Sequence, residues 1–347
     1  MVDINGYEIK SAFSGGEPLK AIYSLGEKVW PVSGPISFGG LKFTALEDGE
    51  IGMHHYGTNA TYTIPNLSYS KDGVNWTIWY YSNISVNKGD VICFKGNNDS
   101  ICKSTSDYSE FYFTNKISSS GNIMSLLYGD YYEGKLSLSG RDYCFYKLFN
   151  RCISLTTAPE LPATTLSIWC YGEMFNKCYS ITTTPKLPTT KLLDFCYYSM
   201  FYNCTSLVTA PELPATTLAY GCYKGMFIGC KSLTTAPSVL PATTLTAACY
   251  NSMFLNCTSL TTAPELPATK LPSTTLSDSC YANMFGGCSN LNYVKTNLIT
   301  KPSDNYTYNW LDGVSSTGTF IANQEATWTT SISRGPSTVP AGWTIQK

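Results

Sequence analysis

The stretch CYYSMFYNCTSLVTAPELPATTL, Cys196 to Leu218, is one of a series. Counted from the first cysteine of each C-x7-C unit, copies begin at Cys144, Cys170, Cys196, Cys222, Cys249 and Cys280. The first three steps are therefore 26 residues, the fourth 27 and the fifth 31. The fourth gains a residue at Pro237-Ser238-Val239, and the fifth carries LPATKLPSTTL in place of LPATTL. A fixed period in this range marks a solenoid of stacked supersecondary units, none of which can bury its apolar face alone.

Within the second copy, CYGEMFNKC, a helical wheel gathers Cys170, Tyr171, Met174, Phe175 and Cys178 within about 140° of arc and leaves Gly172, Glu173, Asn176 and Lys177 outside. This predicts a short helix, stable only when its stripe is covered. The apolar and β-branched run after the second cysteine, from Leu155, Ile181, Leu207, Leu233 and Leu260, predicts short strands that stack as a parallel sheet. Proline pairs such as Pro159 with Pro162 and Pro211 with Pro214 end each strand, because proline lacks the ladder N–H. The ATTL that follows supplies Thr as a helix cap. The residue after the first proline reads Glu160, Lys186, Glu212, Ser238 and Glu265, so the first three give alternating charge down a stack.

Of the 14 cysteines, all but Cys93 and Cys102 belong to the C-x7-C pairs. A disulfide inside a helical unit fails, since eight residues rise about 12 Å against a limit of roughly 7 Å. The spacing is not a zinc spacing, no histidine lies in the array, and a cysteine nucleophile has no base beside it. Counting 26 residues past Cys280 and Cys288 reaches Tyr306 and Val314, in a degenerate seventh copy where Trp310-Leu311 replaces Met-Phe. A position that accepts valine is read as a packing position, with cysteine used as a small apolar residue. Cys93 and Cys102 flank KGNNDS, where a disulfide and a reduced pair are both compatible with a hairpin loop.

The pattern CYxxMFxxCxSLTTAPELPATTL resembles the BspA-type leucine-rich repeat, a family of gut bacterial surface proteins with phage-encoded relatives. The likeness runs from Gly121-Asn122-Ile123-Met124 through the repeats to WLDGVSSTGTF and PAGWTI. It implies an α/β leucine-rich-repeat solenoid in an adhesion or structural role, with no chemistry to transfer residue by residue.

Four segments are expected. Residues 1–34 are a leader or attachment segment, whose KAIYSLGEKVWP (Lys20 to Pro31) places Gly26-Glu27 as a turn between strand-like halves and resembles short segments near the start of phage virion proteins. Residues 35–130, with LKFTAL, ATYTI, VNWTIWYY, DVICF and EFYFT between Gly, Asn and Asp, predict an all-β, sandwich-like domain. Residues 131–314 form the solenoid and 315–347 its C-terminal cap. In SYSKDGVNWTIW, Lys71-Asp72-Gly73 is read as a hairpin turn; it resembles a single, shortened copy of the Asp-box turn of glycan-cleaving propellers. His54 and His55, neighbours on a strand, point to opposite faces and cannot readily share a metal.

The 23 basic and 24 acidic residues leave a net charge of −1, no footprint for nucleic acid. No apolar run is long enough to span a membrane. The opening MVDINGYEIKSAF lacks a basic and apolar signal, which suggests a chain that reaches its place without Sec export or whose start has been trimmed. Candidate binding residues are Trp169, Phe195, Tyr198 and Tyr202, aromatics at variable positions on neighbouring copies, set against local packing at the edge of each turn. The function expected is a non-enzymatic adhesion, receptor-binding or fibre component of a phage virion, held to other virion proteins by its N-terminal region. Its repeats would face a host surface glycan or protein. A bacterial surface adhesin is the alternative and a glycan-active enzyme, which needs paired acids in a cleft, a third. No cofactor, metal or catalytic residue is expected, and the fibre reading carries an expectation of a homo-oligomer although no coiled-coil heptad is present.

Overall fold

The computed structural model describes residues 37–57, 65–269, 279–299, 306–331 and 338–347, together with the backbone of six short strands between residues 2 and 30. Those six form three antiparallel hairpins: β1 (Val2–Ile4) with β2 (Tyr7–Ile9), β3 (Phe13–Ser14) with β4 (Glu17–Pro18), and β5 (Ile22–Ser24) with β6 (Glu27–Trp30). The third hairpin holds both halves of KAIYSLGEKVWP, with Glu27 opening the second strand.

Eight strands follow: β7 (Lys42–Ala45), β8 (Gly49–Tyr56), β9 (Leu67–Ser70), β10 (Thr77–Ile78), β11 (Ile84–Val86), β12 (Val91–Gly96), β13 (Tyr108–Phe113) and β14 (Ile117–Ser120). They make two antiparallel sheets, ordered β10-β9-β12-β7-β14 and β11-β8-β13. The sheets meet through aromatic rings: Phe43 and Phe94 of the first lie 5.0 and 5.4 Å from Phe111 of the second. Alternation drives this burial, since β7 and β11 turn every second residue inward. The Lys71-Asp72-Gly73 turn is held from within. Asp72 accepts the Ser70 hydroxyl, the Val74 and Asn75 N–H groups and the Asn75 side chain, which hold its carboxyl well below the usual range.

The repeats correct the helical expectation. Among the described residues, α-helix is confined to α1 (Ser125–Tyr128), outside the C-x7-C segments. Each segment is instead a run of tight turns with the backbone at positive φ every fourth residue: Trp169 (57°), Glu173 (52°) and Lys177 (62°), then Phe195, Ser199 and Asn203, then Gly221, Gly225 and Gly229. Alternate N–H groups stay inside the turn, as in Gly172 to Trp169, Met174 to Tyr171 and Asn176 to Glu173. The others cross to the next coil, with Trp169, Tyr171, Glu173, Phe175 and Lys177 donating to the carbonyls of Asp194, Cys196, Tyr198, Met200 and Tyr202 at 2.7–3.1 Å. A helix would turn these donors inward; the turn run uses them to join coils. At roughly 1 kcal/mol net for each bond, these five offset the left-handed residues, which cost about 1–2 kcal/mol apiece when not glycine.

Apolar side chains then recur with period four. Cys170, Tyr171, Met174, Phe175 and Cys178 are all fully buried. Coil on coil, the rings form two ladders: Tyr171, Tyr197, Tyr223, Tyr250 and Tyr281 at 5.7–6.0 Å, and Phe149, Phe175, Phe201, Phe227, Phe254 and Phe285 at 5.4–5.7 Å. All fourteen cysteines are free and buried, Cys93 and Cys102 included. Burial pushes the Cys170, Cys230 and Cys249 thiols up to about 12.

The continuous parallel sheet is also corrected. The runs after the second cysteine meet through isolated parallel bridges such as Thr209 with Thr235 and Thr262 with Tyr293, because the prolines remove the ladder donors on either side. The α/β leucine-rich-repeat solenoid therefore gives way to a strand-rich chain whose repeats are stacked turns. The charge ladder is partial: Glu265 pairs with Lys295 at 2.8 Å, while Glu212 accepts from the N–H and hydroxyl of Ser238.

Both ends of the stack are covered. At the first, β13 and β14 act as a preceding coil: the N–H groups of Phe111 and Ile117 donate to Leu148 and Ser154, and Phe111 continues the phenylalanine ladder 5.6 Å from Phe149. At the other, Tyr281 and Phe285 donate to Tyr306 and Trp310, which stand at the positions of Cys280 and Met284. Trp310 packs on Trp328 and Phe320, beneath β15 (Tyr293–Lys295), β16 (Gly318–Ile321), β17 (Thr330–Ser331), β18 (Val339–Pro340) and β19 (Trp343–Gln346). One hydrophobic core runs from Leu41 to Trp343.

Candidate recognition surface

The residue before the first cysteine of each copy takes positive φ: Tyr143 (58°), Trp169 (57°), Phe195 (54°), Gly221 (56°) and Ala248 (53°). Bulky residues in this backbone region are outliers. Because glycine serves the same position two coils on, the stack itself does not require the three rings.

The rings form a spine on the outside of the coils. Trp169 lies between Tyr143 (6.1 Å, 10° between planes) and Phe195 (4.5 Å, 21°). Tyr198 tilts onto Trp169 at 4.9 Å, and Tyr220, 44% exposed, meets Phe195 edge-on at 5.0 Å. Space comes from two glycines: a Cβ at Gly172 would lie 2.7 Å from the Trp169 ring and one at Gly221 2.6 Å from Phe195. Tyr202, half-buried, stands outside these ring contacts; its carbonyl accepts the Lys177 N–H.

The spine continues across the joint onto the three-stranded sheet. Tyr146 meets both Trp169 and Tyr108 edge-on at 5.7 and 5.8 Å, and Tyr108 stacks on Tyr56 at 4.8 Å. His54 stacks on Tyr112 at 4.1 Å. Two carboxylates anchor the strip. Glu173 accepts from the Tyr146 hydroxyl (2.8 Å) and Asn176 (3.0 Å) and faces the Lys147 ammonium at 3.6 Å. Glu110, almost fully buried, accepts from the Tyr56 hydroxyl (2.9 Å) and Asn150 (2.7 Å). Burial and the Glu110 carboxylate raise Tyr56 to about 12, and burial with Glu173 pushes Tyr146 up in the same way.

Of the four candidate residues, the structure brings Trp169, Phe195 and Tyr198 together and leaves Tyr202 apart. Sequence reasoning missed Tyr143, Tyr146, Tyr108, Tyr56 and Tyr220. Tyr143 was within reach, being the residue before the first cysteine in the first copy; Tyr56 and Tyr108 come from another part of the chain and gave no signal.

Other arrangements do not resemble a reaction centre. His55 Nδ1 lies 2.7 Å from the Ser109 hydroxyl, and Asp107 acts on the ring electrostatically, yet Ser109 is fully buried with its backbone N–H and C=O both on Cys102. Burial lowers the His55 pKa. His54 and His55 face opposite ways, as strand neighbours do. Among the described residues, no three His, Cys, Asp or Glu side chains gather as metal ligands, and no helix is long and apolar enough to cross a membrane. No family model, curated protein or solved structure matches this chain.

Proposed function

We propose that this chain is a non-enzymatic recognition protein, a host-binding component of a phage virion, and that the aromatic spine is its contact surface. The observation that carries the reading is the row Tyr143, Trp169 and Phe195 at positive φ. Strain held where the fold has a cheaper alternative points to a role outside the fold. Rigidity supports it as well, since rings fixed by neighbouring coils lose little entropy when a ligand docks. The virion assignment rests on the leader, where KAIYSLGEKVWP lies in a run of short hairpins suited to attachment.

Two measurements test the reading. Labelled protein is titrated onto candidate host cells beside its Trp169→Gly, Phe195→Gly double variant; binding by the parent and its loss in the variant is expected, and equal binding overturns the spine as the contact surface. Antibody raised to the chain is then applied to purified phage particles. Decoration of intact particles is expected, and an exclusively cell-surface location would instead favour a bacterial adhesin.

A further inference from the structure

We infer, resting on the recognition reading above, that the spine takes a neutral polysaccharide laid along it from Tyr220 across the joint to Tyr56. Charge is the first argument. The ionised groups of the strip, Glu110 and Glu173 against Lys147 and Arg151, sum to no net charge, and three of the four are engaged within the protein. Glu110 holds Tyr56 and Asn150; Glu173 holds Tyr146 and Asn176 and faces Lys147. The Lys147 ammonium also lies 5.0 and 5.1 Å over the rings of Tyr108 and Tyr146. An anionic chain would need free cations in a row, and this strip does not offer them.

Backbone pairing is the second argument. A polypeptide commonly docks on a β-unit by adding a strand to an open edge. Beside the spine that edge is taken, because Phe111 of β13 already donates to Leu148 of the first repeat, and Ile117 of β14 to Ser154. What remains is ring surface and phenol hydroxyl, presented at intervals of 4.5–6.1 Å along Tyr143, Trp169 and Phe195. A sugar chain alternates C–H faces with hydroxyls at a comparable interval, so successive residues can meet equivalent contacts. Tyr56 and Tyr220, 40% and 44% exposed, are the rings with surface left to cover at the two ends.

The test uses the full chain against short linear oligosaccharides of β-linked glucose, galactose and N-acetylglucosamine, with heparin and polysialic acid as acidic probes, at low and high sodium chloride. Binding to at least one neutral chain, changing less than about twofold with salt, is expected. The Trp169→Gly, Phe195→Gly variant should bind it at least about tenfold more weakly, and Tyr56→Ala and Tyr220→Ala should each weaken it, provided all unfold like the parent. Binding to the acidic probes alone, falling steeply with salt, overturns the inference. Treated cells separate the two levels. If periodate abolishes cell binding and protease does not, the saccharide assignment stands. If protease abolishes it and periodate does not, that assignment falls while the recognition reading survives; cell binding unchanged in the double variant removes both.

Discussion

The Sγ of Cys204 lies 3.2 Å from the carbonyl oxygen of Phe175, one coil back in the stack. The contact recurs down the chain, from Cys152 to Phe111, Cys178 to Phe149, Cys230 to Phe201, Cys257 to Phe227 and Cys288 to Phe254, at 3.0–3.1 Å. The second cysteine of each copy is thus a buried donor as well as a small apolar residue. Cys204→Ala leaves the Phe175 carbonyl its other donor, the Cys178 N–H, and should cost about 1–2 kcal/mol for the weak bond and the small void. Urea unfolding measures this, and an unchanged midpoint would show that the thiol serves packing alone.

The same burial makes the fold sensitive to alkali. A thiol whose folded pKa lies near 12 against an ordinary value of 9.0 stabilises the fold fully below pH 9. Above that the unfolded chain loses protons that the folded chain keeps, so stability falls by about 1.4 kcal/mol per pH unit for each such thiol until the folded pKa is reached. Twelve repeat cysteines acting together predict cooperative unfolding soon above pH 9, followed by circular dichroism. Before that transition, thiol reagents should find the cysteines unreactive. Stability that stays flat well into alkali would contradict the buried ladders.

Positive φ every fourth residue yields a paired prediction. Gly225→Ala should destabilise by about 1–2 kcal/mol, since a Cβ there is conformationally unfavourable at φ 67° and would lie 2.9 Å from the Ser199 hydroxyl. Ala248→Gly, at φ 53°, relieves backbone strain but gives up the Ala248 methyl, which is almost fully buried, so it should be close to neutral. Thermal unfolding of the two variants checks both, and equal losses would remove the argument that left-handed backbone sets the preference.

The joint between the β-unit and the repeats depends on Glu110. Glu110→Ala leaves the buried Asn150 amide without the acceptor it now has at 2.7 Å, and should cost about 2–3 kcal/mol. Limited proteolysis should then cut near the joint before the repeats unfold. A variant as resistant as the parent would mean the joint is held by its apolar contacts.

The period, the buried ladders and the covered ends were legible in the sequence because they follow from spacing and from the substitution of Tyr306 for cysteine. The helix was a misreading with a clear cause. Apolar residues at Cys170, Tyr171, Met174, Phe175 and Cys178 fit a repeat of four as well as one of 3.6, and the two differ by only about 80° over nine residues. The deciding signal was Gly221, Gly225 and Gly229 at every fourth position, echoed by Asn203, Asn256 and Asn283, residues that favour left-handed backbone and weaken helices. Tyr202 could not be separated from Trp169 and Phe195 by variability alone, and the Tyr56 and Tyr108 portion of the spine depends on how β8 and β13 dock.

The central claim is that Trp169 and Phe195 are held at the expense of the stack and not for its sake. Equilibrium unfolding of the Trp169→Gly, Phe195→Gly double variant tests it most directly, since glycine already fills this position at Gly221. Relief of two strained residues, about 1–2 kcal/mol each, should offset the lost ring contacts and leave the midpoint near that of the parent. A loss of several kcal/mol would make the rings structural and remove the ground for a recognition surface.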